Sequence, residues 1–179
     1  MSQVDSTVRL RPTTPADLDF VLSAEQHPDN SGFVLPWTRD RHLAVLSDPD
    51  IAHWIVEPAG GGKPVGFVMM AGLTNSHASI ELKRVIITEK GHGYGRAAVR
   101  AIKQRAFTEL GAHRLWLDVF VHNTRARPLY ESEGFVAEGT LRECLRVGNG
   151  FGSLVLMSML ESEYQKTTGA TGTAGAAGS

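Results

Sequence analysis

Residues 79–121 hold, in succession, an apolar run, a turn with alternating glycines, an amphipathic stretch and a second apolar run, and this order restricts the topology more than any other feature. Ala98, Ile102, Ala106 and Leu110 recur at i+4 steps, which predicts one long helix over 94–110, and Gly111 stands where a helix C-terminus needs positive φ. A strand, a helix and a strand in line form a crossover, so the runs at 79–87 and 114–121 should pair in parallel. The strands before them follow another logic. Runs 51–57 and 65–73 flank Pro58-Ala59-Gly60-Gly61-Gly62-Lys63-Pro64, and 79–87 follows after Asn75-Ser76-His77. Links that short make an antiparallel meander.

The ends complete the pattern. Residues 7–11 alternate like a strand, and Thr14-Pro15-Ala16-Asp17 starts a helix to about 26, with Thr14 as cap and Pro15 at the first helical position. Thr38 caps a second, short helix that should place Leu43 and Leu46 on one side. A helix over 124–133, closed by Gly134, leads into closing strands at 135–142 and 153–160. The order β-α-α-β-β-β-α-β-α-β-β describes an α/β (α+β) fold on a mixed, mostly antiparallel sheet. Residues 5–165 read as a single domain. Residues 166–179, of which 167–179 contain only Thr, Gly, Ala and Ser, read as a flexible Gly/Ala/Thr tail, because they carry too little apolar side chain to offset the entropy of ordering.

Composition narrows the function. No run of the 179 residues approaches the roughly 18 apolar residues of a membrane helix, so no membrane span is expected. A net charge of −1 supplies no basic field for a nucleic-acid backbone, so no direct nucleic-acid contact is expected. The lone cysteine, Cys144, allows no intrachain disulfide and should pack as a small hydrophobe; with no secretory leader pattern at Met1-Ser2-Gln3-Val4-Asp5, the expected location is cytoplasmic. The seven histidines lack ligand spacing, and no metal is expected.

The turn Lys90-Gly91-His92-Gly93-Tyr94-Gly95-Arg96 enters the long helix. Glycines there let backbone N–H groups approach an anion, and the helix dipole adds positive potential, so the turn suits a phosphate. A nucleotide P-loop would end Gly-Lys-Ser/Thr, whereas this one ends Gly95-Arg96-Ala97. Gly93-x-Gly95-x-x-Ala98 also fits a relaxed dinucleotide fingerprint, with Asp118 about 20 residues on. Three strands precede the turn, however, and too few elements follow it for a doubly wound sheet.

With Lys90-x-x-Gly93-x-Gly95 in the place of Arg/Gln-x-x-Gly-x-Gly/Ala, the chain resembles the GNAT superfamily of acetyl-CoA-dependent N-acetyltransferases. A second block, Asn123-x-x-Ala126-x-x-Leu129-Tyr130-x-x-x-Gly134-Phe135, is similar to that family's, and Glu138-Gly139-Thr140-Leu141-Arg142 is similar to the branch that acetylates ribosomal-protein N-termini. The resemblance implies strands four and five parallel and splayed. It implies the acetyl-CoA pyrophosphate on the loop amides, about Gly91 to Arg96, with Lys90, Gly91, His92, Gly93, Tyr94, Gly95 and Arg96 as the cofactor-binding residues of the turn. The pantetheine would lie along Val85, Ile86 and Ile87, with Asn123 and Arg127 as further cofactor contacts; Asn123 would otherwise cap a helix.

Acetyl transfer to an amine needs a neutral nucleophile, a polarised thioester and a proton for the departing thiolate. Tyr130 matches the tyrosine that serves as that acid in many members; otherwise it is a packed helix residue. Asp118 interrupts a strand that is apolar on both faces, where a buried carboxylate requires a partner. It matches the acid that some members use as base, or else pairs with an arginine such as Arg114. Glu81, alternating onto one face with Lys83 and Val85, would bind the amine or act as base, or else be a solvated charge. Trp37 would shape the acceptor pocket or staple its loop. Pro128 should make the start of its helix irregular.

The expected reaction is transfer from acetyl-CoA to a primary amine by direct attack in a ternary complex. The acceptor would be a small molecule such as an amino acid or polyamine, or a protein N-terminus. An α-amine loses its proton more readily than a lysine-like amine, which favours N-terminal and amino-acid acceptors. A non-catalytic acyl-CoA-binding module and a dinucleotide-binding oxidoreductase are the alternatives. The closing strands offer a surface for a homodimer.

Overall fold

A computed structural model of the chain describes residues 7–169. Seven strands form one sheet in the order β1-β2-β3-β4-β5-β7-β6, with β1 at Val8–Pro12, β2 at Ile51–Pro58, β3 at Gly66–Ala71, β4 at Ser79–Ile87, β5 at Arg114–Phe120, β6 at Val136–Val147 and β7 at Gly150–Leu160. Only β4 and β5 are parallel; every other neighbouring pair is antiparallel. This is the mixed sheet expected from the crossover, and a doubly wound dinucleotide fold is set aside by it.

Helices cover both faces. On one lies α4, Tyr94–Gln104, continued by a π turn over Arg105–Glu109. Its small Ala97 and Ala98 are fully buried and let the helix approach the sheet, where Val99, Ile102 and Ala106 join Val56, Val68, Met70 and Leu115 in the main core. On the other face α1, Leu18–Gln26, sets Leu18, Val21 and Ala24 against Ile55, Phe67, Met69 and Ile86. Thr14 caps the start as expected, in a capping box with Asp17, although the first turn is a 3-10 turn.

Several elements differ from the sequence reading. A short α2, Pro28–Ser31, follows α1 directly. In α3, Arg39–Val45, Thr38 caps the helix as expected, but His42 is the buried residue, while Leu43 stays exposed. The closing strands run on to Val147 and from Gly150, longer than 135–142 and 153–160 suggested; Glu143 at φ 49 interrupts the ladder, which resumes beyond it. Cys144 is exposed on this hairpin instead of packed. A final α6, Glu161–Gly169, includes residues 166–169 of the expected tail, and stacks Tyr164 on Phe107. The rest of the tail expectation, 170–179, lies outside the described residues.

Candidate active site

The parallel ladder between β4 and β5 is brief. It pairs Ser79 with Arg114, Ile80 with Leu115 and Glu81 with Trp116, and then the strands separate. Between them opens a cleft of about 750 Å³. Leu82 to Ile87 thus keep one edge of β4 free of a neighbouring strand, and backbone groups on such an edge need a hydrogen-bonding partner from elsewhere.

A bulge decides which side chains β4 turns each way. Met69 pairs with Arg84 and Met70 with Leu82, so Lys83 is an extra residue. The alternation therefore slips by one, and Val85 falls with Ile80, Leu82 and Ile87 on the α4 side while Ile86 falls on the α1 side. The expectation that Glu81, Lys83 and Val85 share a face is corrected by this bulge. Glu81 lines the cleft, with Lys83 Nζ 3.2 Å from its carboxylate.

At the far end lies the glycine turn. Gly91 and Gly93 have φ of 83° and 77°, conformations that L side chains resist. A Cβ on either would meet nothing within 4 Å, so open space lies before the turn. Ala97 is the first helix residue to donate back to the chain, to the Gly93 carbonyl at 3.0 Å, leaving the preceding amides available to an anion. Lys90, Gly91, Gly93, Tyr94, Gly95 and Arg96 line the cleft; the His92 ring instead stacks on Tyr94. Arg96 is held by Glu133 at 2.6 Å, a buried carboxylate that also takes Lys103 at 2.9 Å and Arg100 at 3.1 Å.

Helix α5, Ala126–Ser132, forms the other wall. Asn123 Oδ1 accepts from the Ala126 N–H at 3.0 Å, so this side chain does cap the helix while also lining the cleft. Pro128 sits in the first turn, where its missing N–H has no intrahelical partner to lose, and the helix forms without a break. Arg127 points away and pairs with Glu131. Gly134, at φ 92, ends the helix where a Cβ would meet Met159 at 2.8 Å.

Tyr130 and Asp118 both open onto the cleft. The Tyr130 ring is buried edge-on to Phe135, and its hydroxyl has no hydrogen-bond partner among the described residues. Burial, with Asp118 nearby, pushes its pKa up to about 12. Asp118 is not sunk in the core as the strand pattern implied, because the splay of β4 exposes it to the cleft. Enclosure by the walls raises its pKa, and the Glu81 charge adds to the rise while Lys83 opposes it. Arg114, the partner weighed for it, pairs instead with Glu138 at 2.7 Å.

The roof of the cleft is the loop of residues 32–38. Trp37 lines the cleft and also pins the loop: its backbone N–H donates to Glu25 Oε2 at 2.8 Å, and the Arg41 and Arg84 guanidiniums lie over its ring. Gly32 meets His122 across the opening, its carbonyl 3.2 Å from Nε2. Nothing in the sequence singles out Glu25, Arg84, His42 or Arg125, since no local pattern marks a buried pair 59 positions apart, and Arg125 fills an unspecified position of its motif.

No helix among the described residues is long and apolar enough to cross a membrane, and no cluster of His, Cys, Asp or Glu there could hold a metal ion. The profile of the Acetyltransferase (GNAT) family matches residues 18–135. The spermidine N(1)-acetyltransferase of Vibrio cholerae is 33% identical over 169 residues, covering 90% of this chain and 97% of that protein. Its structure with CoA and spermine superimposes with a TM-score of 0.80 at 27% identity, covering 89% of this chain and 99% of the other. A putative ribosomal N-acetyltransferase of Bacillus subtilis is 30% identical over 105 residues, 58% of this chain and 57% of that protein.

Proposed function

The chain belongs to the Acetyltransferase (GNAT) family and moves the acetyl group of acetyl-CoA to a primary amine, and from that premise we propose a polyamine-like acceptor that meets the thioester between Glu81, Asp118 and Tyr130. The carrying observation is that Glu81, Asp118 and Tyr130 line the same cleft; beyond the burial that raises both groups, the Glu81 charge adds to the rise at Asp118 and Asp118 adds to the rise at Tyr130. Two carboxylates suit an ammonium-bearing chain. Similarity to a spermidine acetyltransferase over nearly the whole chain supports a small-molecule acceptor over a protein N-terminus.

Acetyl-CoA brings an electrophilic carbonyl and a thiolate leaving group. The amides of Gly91 to Arg96 hold its pyrophosphate, with Lys90, Arg96 and Arg125 adding positive charge, and the free edge at Val85, Ile86 and Ile87 pairs with the pantetheine arm. His92 contributes its amide and Asn123 its remaining side-chain donors. Arg127, paired with Glu131, has no part in this reading.

Asp118 accepts the proton that the amine must lose, directly or through water, and its raised pKa makes it a better base than an ordinary aspartate. The nitrogen then attacks the carbonyl in a ternary complex: the C–N bond forms, the C–S bond breaks, and a second proton, lost by nitrogen as the amide forms, passes through water to the thiolate, while Asp118 returns the first to solvent. Tyr130 stays protonated at neutral pH and donates to that sulfur. A phenol near 12 is a weaker acid than a thiol near 8.5, so stabilising the thiolate by hydrogen bonding is its main contribution.

Exposed Val136, Leu141, Val147 and Phe151 on the β6–β7 hairpin, with β6 at the sheet edge, support a homodimer through the closing strands, which light scattering tests. A cytoplasmic site accords with the single cysteine. For the acceptor, thiol release from acetyl-CoA is followed across spermidine, spermine, lysine and a short peptide with a free N-terminus. Polyamines should accelerate release at least tenfold more than the others; equal or greater acceleration by the peptide contradicts this acceptor.

A further inference from the structure

Glu25 is a carboxylate with no exposed side-chain surface at the last turn of α1, and the chemistry above does not use it. An isolated buried charge is costly, so what surrounds it identifies what it does. Its Oε2 accepts the Trp37 backbone N–H at 2.8 Å. Its Oε1 lies 3.3 Å from the Arg84 guanidinium and 3.3 Å from His42 Nε2. Arg84, only 9% exposed, in turn donates to the Leu35 carbonyl at 2.9 Å and lies over the Trp37 ring. Behind His42, His53 is kept neutral, its pKa pushed down to about 4 by burial and by His42, and it reaches Thr13 at 2.8 Å.

The loop of residues 32–38 is thus tied at Trp37 and at Leu35, and both ties run through Glu25. Arg84 reaches this side of the sheet because the Lys83 bulge shifts the alternation of β4. We propose that Glu25 is a positioning residue for the acceptor: with Arg84 as intermediary it holds Leu35 and Trp37 as the roof of the acceptor half of the cleft. This rests on reading that half as the amine site. Among the described residues the side-chain hydrogen bonds and ion pairs of Glu25, Arg84 and His42 go to one another, to Leu35, Trp37 and His53, and none goes to the glycine turn.

Glu25→Gln keeps the shape and the acceptor for Trp37 but strands the Arg84 charge. The expected result is a rise of about tenfold in KM for the amine, with kcat within threefold and the CoA Kd within twofold of wild type. Hydrogen exchange at residues 33–37 should speed up at least tenfold while β2 and β3 amides stay protected. A merely structural role would lower the melting temperature and leave the amine KM of the folded variant unchanged, and that result overturns the proposal. Should Glu25→Gln not fold, the double variant Glu25→Gln/Arg84→Gln removes the stranded cation; a wild-type amine KM in it overturns the proposal equally. If the wild-type protein acetylates no amine, the function above fails on its own, and unchanged exchange at 33–37 in Glu25→Gln then decides against the positioning role.

Discussion

Lys90 Nζ donates to Asn30 Oδ1 at 2.7 Å, joining the start of the glycine turn to the buried end of α2. Asn30 is itself fixed, its Nδ2 donating to the Ala24 carbonyl at 2.9 Å and reaching the Ile87 carbonyl at 3.4 Å. The lysine that replaces the usual arginine or glutamine at this motif position therefore has a structural partner of its own. Burial lowers its pKa, and Arg125 lowers it further.

Lys90→Ala should leave the Asn30 oxygen buried without a donor, which costs about 1–3 kcal/mol, and should loosen the turn that faces the pyrophosphate. Calorimetric titration with CoA is expected to show binding weakened several-fold, with the melting temperature lowered both with and without CoA. Wild-type CoA affinity in this variant would separate Lys90 from the cofactor.

Tyr130→Phe removes a hydroxyl that has no partner in the protein among the described residues, so stability should hardly change. The loss should appear in kcat, by roughly 10²-fold, the lower end of what one donor to a developing negative charge contributes, with the amine KM nearly constant. Steady-state kinetics check both.

The acid limb of kcat/KM for the amine should follow Asp118, which is competent only when ionised. Its raised pKa places that limb above the ordinary aspartate range. Glu81→Gln removes a neighbouring negative charge that contributes to the rise, so the limb should move to lower pH; a limb that stays in place or moves upward assigns the ionisation to another group.

Glu133→Gln leaves Lys103 buried with no counter-charge. By the usual penalty for breaking a buried pair, the loss is about 3 kcal/mol, or roughly 6–12 °C in Tm for a chain of this size. Burial pushes the Glu133 pKa up, but hydrogen bonds from Lys103 and Arg100 outweigh it and hold it below 4.5. A depressed pKa stabilises the fold above the unfolded value and ceases to do so as pH falls through the folded one. The Tm gap between wild type and variant should therefore narrow below about pH 4.5, as thermal melts across pH would show.

The elements set by period were legible: β2 to β5 and α4 follow from runs of apolar residues and i+4 spacing, and the topology from their order. Motif spacing points to Tyr130 and the glycines, an acid in an apolar strand to Asp118, and a place on the fourth strand beside the expected cleft to Glu81; all of them line the cleft. What the chain did not disclose depends on contacts between distant segments. The bulge at Lys83 exists only relative to β3, yet it reverses the expected side of Val85 and turns Arg84 towards Glu25. Asp118 looked buried because its strand is apolar on both faces; the splay beyond Glu81 and Trp116 gives it the cleft. Arg127 and His92 sit inside the motifs, but a nearer partner, Glu131 for one and Tyr94 for the other, takes each side chain.

Direct transfer from thioester to amine is tested most plainly by initial velocities over a grid of acetyl-CoA and spermidine concentrations, with the product identified by mass. Intersecting double-reciprocal lines and one acetyl group on the amine are expected of attack in a ternary complex. Parallel lines, the mark of an acetylated enzyme, or thiol release that spermidine does not accelerate would contradict it.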